Sequence, residues 1–131
     1  MSIDTIGDFL TIIRNGRMVS KPSVVAPYSR IKHAIADILK GEGFIRGFEI
    51  LEDATGKKKL KVVLKYVNGE SVIHEITRVS TPGLRAYKGA CSIKPVIGGL
   101  GLSIITTSRG LLTHKKAKAL GVGGEVICTV W

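Results

Sequence analysis

The chain has 131 residues, of which 44% are hydrophobic and 23% charged, enough for one domain or two small lobes around an apolar core. This composition excludes a disordered tail and a collagen-like fibre, and no apolar run approaches the roughly 18 residues that a membrane span needs. Two acids precede the first base, Arg14, which is the wrong charge order for a secretory or transit signal. We therefore expect a cytosolic protein with no membrane partner.

Basic residues outnumber acidic residues by 20 to 10, and the excess is uneven along the chain. Residues 1–75 hold 12 bases and 9 acids, whereas residues 76–131 hold 8 bases and one acid, Glu125. A folded domain of this kind is typical of proteins that bind a polyanion, because Lys and Arg release the counterions condensed on phosphates. A basic protein whose charge serves solubility alone is the alternative.

The first half of the chain follows a helix–strand–helix–strand–strand order. Apolar residues at helical spacing predict a first helix that ends at Gly16 and a second that runs from a Ser29 cap to Gly41, a residue suited to the left-handed position after a helix. A short strand near residues 24–25 separates them. Alternation of period two then predicts two antiparallel strands joined by a turn at residues 53–56.

The same alternation predicts which strand faces are buried. Leu60, Val62 and Leu64 share one face, which we expect to pack against the helices, while lysines occupy the other. On the preceding strand the two alternating sets are Phe44, Phe48 and Ile50, and Ile45, Gly47 and Glu49.

Short strands and glycines dominate the second half, which begins after a turn signal at Asn68-Gly69. The predicted strands are residues 72–79, 84–88, 91–97, 102–107 and 125–131. One short helix is predicted, with Thr113 as its cap and Gly121 as its end. The fold class is therefore α+β, with an α-β-α-β-β lobe over residues 1–68 and a mostly antiparallel β lobe over residues 69–131.

Signals for catalysis or metal binding are weak. The three histidines have no metal-ligand spacing, the glycine-rich residues 98–101 lack the remaining features of a nucleotide site, and the two cysteines form no CxxC motif. Cys128 lies in an apolar run and is expected to act as a small hydrophobic residue. We expect no enzyme, no cofactor, no metal and no small-molecule substrate.

Three consecutive hydroxyl residues make the most distinctive candidate site. Thr106, Thr107 and Ser108 precede Arg109 and Gly110, after an apolar strand and before a small basic helix. Hydroxyls donate and accept hydrogen bonds, so they suit base edges, 2′-hydroxyls and phosphates, and a glycine permits close approach to a sugar-phosphate chain. We expect this loop to contact a polyanion, flanked by two helix lysines, Lys115 and Lys116.

Two further groups of residues are candidates for RNA contact. Arg85 and Tyr87 share a strand face, where the ring can stack on an unpaired base; a tyrosine at the core edge is the alternative. In the first lobe, bases cluster at or between the predicted helix ends, and they form either a second contact or a solvated face. These bases are Arg14, Arg17, Lys21, Arg30 and Lys32.

The chain resembles the family of small-subunit ribosomal protein number eight over essentially its whole length. The two most specific motifs are residues 101–118, which include the hydroxyl loop, and residues 121–131; residues 4–15 and 85–87 also match. The resemblance implies an α/β first lobe and a mostly β second lobe that bind the central domain of small-subunit (16S-type) ribosomal RNA. It also implies assembly of the subunit, a place in the ribosome, and neighbouring proteins, chiefly small-subunit protein number five.

The resemblance assigns roles to particular positions. Thr106, Thr107, Ser108 and Gly110 match the loop that the family uses against an irregular RNA helix. Glu125 and Tyr87 match positions near the RNA or supporting the loop. First-lobe contacts are implied at Ser29, Arg30 and Lys32.

Two hypotheses from other classes stay open at this point. Charge alone allows a nonspecific or DNA-directed binding module. The residues Ser108, His114 and Glu125 allow an enzyme that acts on a phosphate substrate, such as a small nuclease, although no nucleophile-elbow motif is present.

Overall fold

The computed structural model describes residues 5–81, 83, 87–88 and 101–131. The described residues form three helices and strands that pair in antiparallel sheets, which confirms the α+β class. The chain forms two compact units, one of residues 8–73 and the other of the described residues from 74 to 131 together with residues 5–7. The division into residues 1–68 and 69–131 stays a prediction.

The unit of residues 8–73 has the predicted α-β-α-β-β order. Its elements are α1 (Thr5–Met18), β1 (Ser23–Pro27), α2 (Arg30–Gly41), β2 (Ile45–Glu52) and β3 (Lys58–Leu64), followed by the short strands β4 (Tyr66–Val67) and β5 (Glu70–Ser71). The antiparallel sheet has the order β1-β3-β2. Leu60, Val62 and Leu64 are buried as predicted, and α2 packs against β2 and β3.

The two glycines that the sequence suggests at the helix ends are not the left-handed residues, because α1 continues past Gly16 and α2 ends at Gly41 without that conformation there. Gly16 lies inside α1 and is buried. It packs so closely against β1 that a Cβ at this position would collide with Val24. The left-handed residue after α1 is Ser20 (φ 56°). Lys21 N–H then donates a hydrogen bond of 2.9 Å to the Gly16 carbonyl, which ends the helix. In α2 the predicted left-handed role of Gly41 is likewise wrong, since Gly43 (φ 81°) takes it.

A β-bulge interrupts the alternation at the beginning of β2. The register passes from Ile45 opposite Leu64 to Gly47 opposite Val63, so Arg46 is an extra residue on β2. Ile45, which the alternation grouped with Gly47 and Glu49, lies in the core, where it is 2% exposed. Ile50 is 43% exposed at the other end of the strand.

The Asn68-Gly69 turn is confirmed. These two residues join β4 to β5 with φ values of 53° and 80°, as a two-residue hairpin turn of the mirror-image type requires.

The second unit consists of strands around one helix. The described elements are β6 (Ile76–Arg78), β7 (Tyr87–Lys88), β8 (Leu102–Thr107), β9 (Gly110–Thr113), α3 (His114–Leu120) and β10 (Gly124–Val130). The sheet order is β6-β10-β8-β9, and β7 pairs with the beginning of β10. The predicted strand at residues 91–97 lies outside the described residues.

Helix α3 is positioned as the sequence predicts. The Thr113 side chain accepts a hydrogen bond from Lys116 N–H at 3.3 Å, and Gly121 (φ 69°) ends the helix in the left-handed conformation. Ala117 packs with Ile105 and Val126 in a buried cluster, so the helix is fixed on the sheet that carries the hydroxyl loop. The sequence pattern missed β9, a four-residue strand between the loop and the helix.

Candidate nucleic-acid interface

The predicted hydroxyl loop is the tip of the β8–β9 hairpin. Thr107 pairs with Gly110 across the strands, so Ser108 and Arg109 form the turn, and both are exposed. Gly110 has φ 97°, a conformation that strains a residue with a Cβ. The Thr107 hydroxyl accepts a hydrogen bond from Arg109 N–H at 3.0 Å and donates one to the Gly110 carbonyl at 2.9 Å. Thr107 therefore shapes the turn, while Ser108 is presented to solvent.

Three candidate residues lie side by side at the base of this hairpin. Glu125 on β10 is opposite Thr106 of β8 on one side and opposite Tyr87 of β7 on the other. Tyr87 is 67% exposed, so the alternative of a tyrosine at the core edge is wrong. The structure thus brings together a hydroxyl, a carboxylate and an exposed ring that are widely separated in the sequence.

The carboxylate of Glu125 is hydrogen-bonded to a buried serine. Ser80 is fully buried, and its hydroxyl donates a hydrogen bond to Glu125 Oε1 at 2.6 Å. A carboxylate fixed in this way can accept hydrogen bonds from base amino groups, the recognition that carboxylates perform on nucleic acids.

Gly124 allows the close approach of β10 to β8. A Cβ at Gly124 would collide with the Thr106 carbonyl oxygen and meet Ile105 Cγ2 at 3.3 Å. The sequence pattern did not identify Gly124 or Ser80 as part of the site. Gly124 belongs to a glycine-rich run, which indicates a place where backbones can approach closely. The partner of Ser80 is 45 residues away, and no local pattern marks such a contact.

The lysines of α3 add positive charge on the element that follows the hairpin. Lys115 and Lys116 are both exposed, as is Lys118. Arg85, which the sequence placed beside Tyr87, lies outside the described residues.

The first-lobe candidates have different surroundings from one another. Ser29 caps α2 by accepting a hydrogen bond from Lys32 N–H at 3.2 Å. Lys32 is only 5% exposed, and its ammonium group donates to the Pro27 carbonyl at 3.1 Å, so its side chain supports the cap region rather than extending into solvent. Arg30 is exposed at the start of the same helix. Contact of these three residues with RNA stays a prediction.

The residues of the nuclease hypothesis are engaged elsewhere. His114 is 5% exposed, and its Nδ1 accepts a hydrogen bond from Ser103 N–H at 3.1 Å, while Ser108 is exposed at the hairpin turn. Glu125 is bound by Ser80. A base that is buried and already hydrogen-bonded through Nδ1 does not fit general-base catalysis on an exposed serine.

Cys128 behaves as the apolar residue that the sequence predicts. It is fully buried in β10, and burial raises the pKa of its thiol to about 12. The described residues contain no group of three or more His, Cys, Asp or Glu side chains that could hold a metal ion. None of the helices in these residues combines the length and the hydropathy that a membrane-spanning segment requires.

Comparison with known proteins identifies the family. The sequence profile described as ribosomal protein S8 matches residues 4–131. Proteins named small ribosomal subunit protein uS8 from Verminephrobacter eiseniae and Delftia acidovorans are each 54% identical over 127 residues, which cover 97% of this chain and 96% of theirs. The protein of that name from Marinobacter nauticus is 51% identical over 128 residues, covering 98% and 97%. The chain therefore belongs to the ribosomal protein S8 family.

Proposed function

We propose that the protein binds the central domain of small-subunit ribosomal RNA, helps assemble the subunit as a structural component, and recognises an irregular RNA helix with the β8–β9 hairpin. Family membership supports a structural role in the small subunit and gives the ribosome as its location. The finer proposal rests chiefly on the exposed hairpin tip, which a threonine hydroxyl and a left-handed glycine hold in one conformation.

The chemistry of the hairpin suits RNA better than DNA. A regular A-form helix hides its base edges in a deep, narrow groove and displays 2′-hydroxyls along a shallow one. The exposed Ser108 at a narrow turn can exchange hydrogen bonds with such hydroxyls, and the exposed Tyr87 ring can stack on an unpaired base. An irregular helix supplies both features, since its bases are partly unstacked.

The lysines and the groups at the hairpin contribute to RNA binding in different ways. Cations such as Lys115 and Lys116 attract any polyanion and contribute affinity, whereas the Ser108 hydroxyl, the Glu125 carboxylate and the exposed Tyr87 ring contribute selectivity. Small-subunit protein number five is the proposed protein neighbour. The protein is proposed to act without catalysis, because the candidate base, His114, is buried and its Nδ1 already accepts a hydrogen bond from Ser103 N–H.

The test is a titration of a central-domain rRNA fragment, a perfect RNA duplex, a duplex DNA and a tRNA at about 0.2 M salt, where nonspecific binding weakens. We expect the fragment to bind at least about tenfold more tightly than the other three. Equal affinities would overturn the proposal, and a preference for duplex DNA would favour the nonspecific or DNA-directed module. Cleavage of the RNA during prolonged incubation with magnesium would reinstate the enzyme hypothesis.

A further inference from the structure

Among the described residues, no strand pairs with the outer edge of β1, so this edge carries backbone groups without a strand partner. Strand β1 is the end strand of the β1-β3-β2 sheet. The Pro22 carbonyl accepts from Leu64 N–H at 3.0 Å, so the even-numbered residues of this segment bond towards β3. Because the bonding direction alternates in an antiparallel pair, the N–H and C=O groups of Ser23 and Val25 point to the open edge.

An apolar groove runs along this edge. It has a volume of about 580 Å³ and lies between β1 and the second half of α1, with Ile12, Val19 and Val25 among its lining residues. Val19 is 66% and Val25 45% exposed, which is high for valine in a small domain. The groove is narrow at its base because Gly16 lets Val24 approach the helix directly.

The groove has one charged lining residue among those that the structure describes, Lys21. A single cation beside apolar walls is a poor site for RNA, which rewards clustered charge. It suits a peptide that pairs its backbone with Ser23 and Val25, places alternate apolar side chains against the valines, and carries a carboxylate near Lys21. A second copy of this chain would bring another lysine rather than a carboxylate.

Proline limits the length of such pairing. Pro27, at the end of β1, lacks an N–H, so pairing along the open edge cannot continue as a full ladder beyond Val25. The edge is thereby protected from open-ended sheet growth but still offers two residues with both donor and acceptor.

We propose that the β1 edge docks an extended, acidic segment of a partner protein, which adds as a fourth strand to the β1-β3-β2 sheet. This interaction surface is separate from the RNA-binding hairpin, and it does not depend on the proposed RNA function.

The test uses the full chain and a capped seven-residue peptide in which valine alternates with threonine or glutamate. Binding is followed by the NMR shifts of the backbone amides. We expect saturable shifts that are largest at Ser23 and Val25, with slower hydrogen exchange of both amides in the complex. Two control peptides carry lysine in place of glutamate, or N-methyl groups on the amides that face β1; both should bind at least about fivefold more weakly.

Two variants at one position separate edge pairing from side-chain contact. Val25→Pro removes an N–H that faces the open edge while leaving the ladder to β3, and should weaken the peptide at least about fivefold. Val25→Thr keeps the N–H and should change the affinity less than about twofold. Circular dichroism confirms folding, and central-domain RNA binding by both variants reports the hairpin separately. If Val25→Pro fails to fold, the N-methylated peptide decides the question.

The proposal is overturned by any of four results. These are the absence of saturable shifts at millimolar peptide, equal binding of the N-methylated peptide, displacement of the peptide by a homopolymer RNA, and self-association of the protein through the Ser23 and Val25 amides. The last two would assign the edge to RNA or to a second copy.

Discussion

At the scale of single residues, neighbouring hydroxyls in the hairpin have different tasks. Thr107 is bonded to two backbone groups of its own turn, while Ser108 is exposed beside it. The sequence treats the two as equivalent, because both are small alcohols in one run. Only the strand pairing, which puts Thr107 opposite Gly110, distinguishes the residue that shapes the turn from the one that faces outward.

Replacing Ser108 with alanine should weaken selective binding without affecting stability. We expect Ser108→Ala to lower affinity for the central-domain fragment by about 1 kcal/mol, roughly fivefold, while its thermal midpoint and its affinity for a perfect duplex stay unchanged. Binding isotherms on both RNAs and a thermal melt measure these effects. Thr107→Val is the contrast, and should lower stability as well, because it removes both bonds within the turn. If Ser108→Ala lowers the affinity for both RNAs by the same factor, the hairpin does not contribute to selectivity.

Lys116 should behave in the opposite way to Ser108. It is exposed on α3 and is proposed to contact phosphate, so Lys116→Ala should weaken all RNAs by a similar factor. The slope of log K against log salt should become shallower by about one. A loss confined to the central-domain fragment, with an unchanged salt slope, would show that Lys116 reads structure rather than charge.

Burial of Cys128 gives stability a dependence on alkaline pH. Its pKa is about 12 in the folded protein against an ordinary value of 9.0, so the unfolded state loses this proton first as pH rises. The stabilisation is complete below pH 9 and is lost between pH 9 and 12. Between pH 8 and pH 10, wild type should lose on the order of 1 kcal/mol more unfolding free energy than Cys128→Ala, measured by urea denaturation. Equal losses would mean that the thiol ionises as readily in the fold as outside it.

At the scale of elements, the strands β8 and β10 fix the site. Their contact at Gly124 and Thr106 holds the base of the hairpin and aligns Glu125 with Tyr87. The α3 helix packs on the same sheet through Ala117. The lysines of α3 and the hydroxyls of the hairpin therefore lie on elements that share one buried cluster. Damage to this strand contact should therefore affect both folding and recognition.

Gly124→Ala is the substitution that tests the strand contact. The new Cβ would overlap the Thr106 carbonyl, a backbone atom that cannot rotate away, so we expect a loss of about 1–3 kcal/mol in unfolding free energy. Gly47→Ala is the matched control, because a Cβ on that strand glycine meets no atom within 4 Å. Urea denaturation of both variants gives the comparison. If the two are equally stable, the close approach of β10 to β8 is not a constraint.

Sequence reasoning succeeded where the signal was local. The Thr113 cap, the Gly121 end and the Asn68-Gly69 turn follow from the conformational preferences of those residues, and the buried face of β3 follows from strict alternation. It failed where tertiary contact overrides a local rule. Gly16 does not end its helix. It lies inside α1, where the absence of a Cβ lets Val24 pack directly against the helix.

Two other features depend on tertiary structure in the same way. Ile45 faces the core because a bulge shifts the register, an event that alternation cannot reveal. The basic composition and the hydroxyl run predict contact with RNA, which stays a prediction, whereas the alignment of Thr106, Glu125 and Tyr87 depends on strand pairing between distant segments.

At the scale of the whole molecule, charge and apolar surface have separate distributions. Residues 76–131 carry 8 of the 20 bases but only one of the 10 acids, so this part of the chain is the more cationic. The unit of residues 8–73 instead carries the apolar β1 groove. A protein that binds RNA with one part and an extended protein segment with another is suited to a ribonucleoprotein particle, where both kinds of neighbour are present.

Site-directed crosslinking from the hairpin tip shows directly whether the β8–β9 hairpin recognises one irregular helix of the rRNA. Arg109→Cys, combined with Cys91→Ser, leaves one accessible thiol for a photo-crosslinker, because Cys128 is fully buried. Ala54→Cys in the same background, at the exposed turn between β2 and β3, is the control. We expect crosslinks from position 109 on a small-subunit rRNA transcript to concentrate in one irregular helix of the central domain and to be competed by that helix alone. Crosslinks spread over many helices, or matching those from position 54, would contradict this expectation.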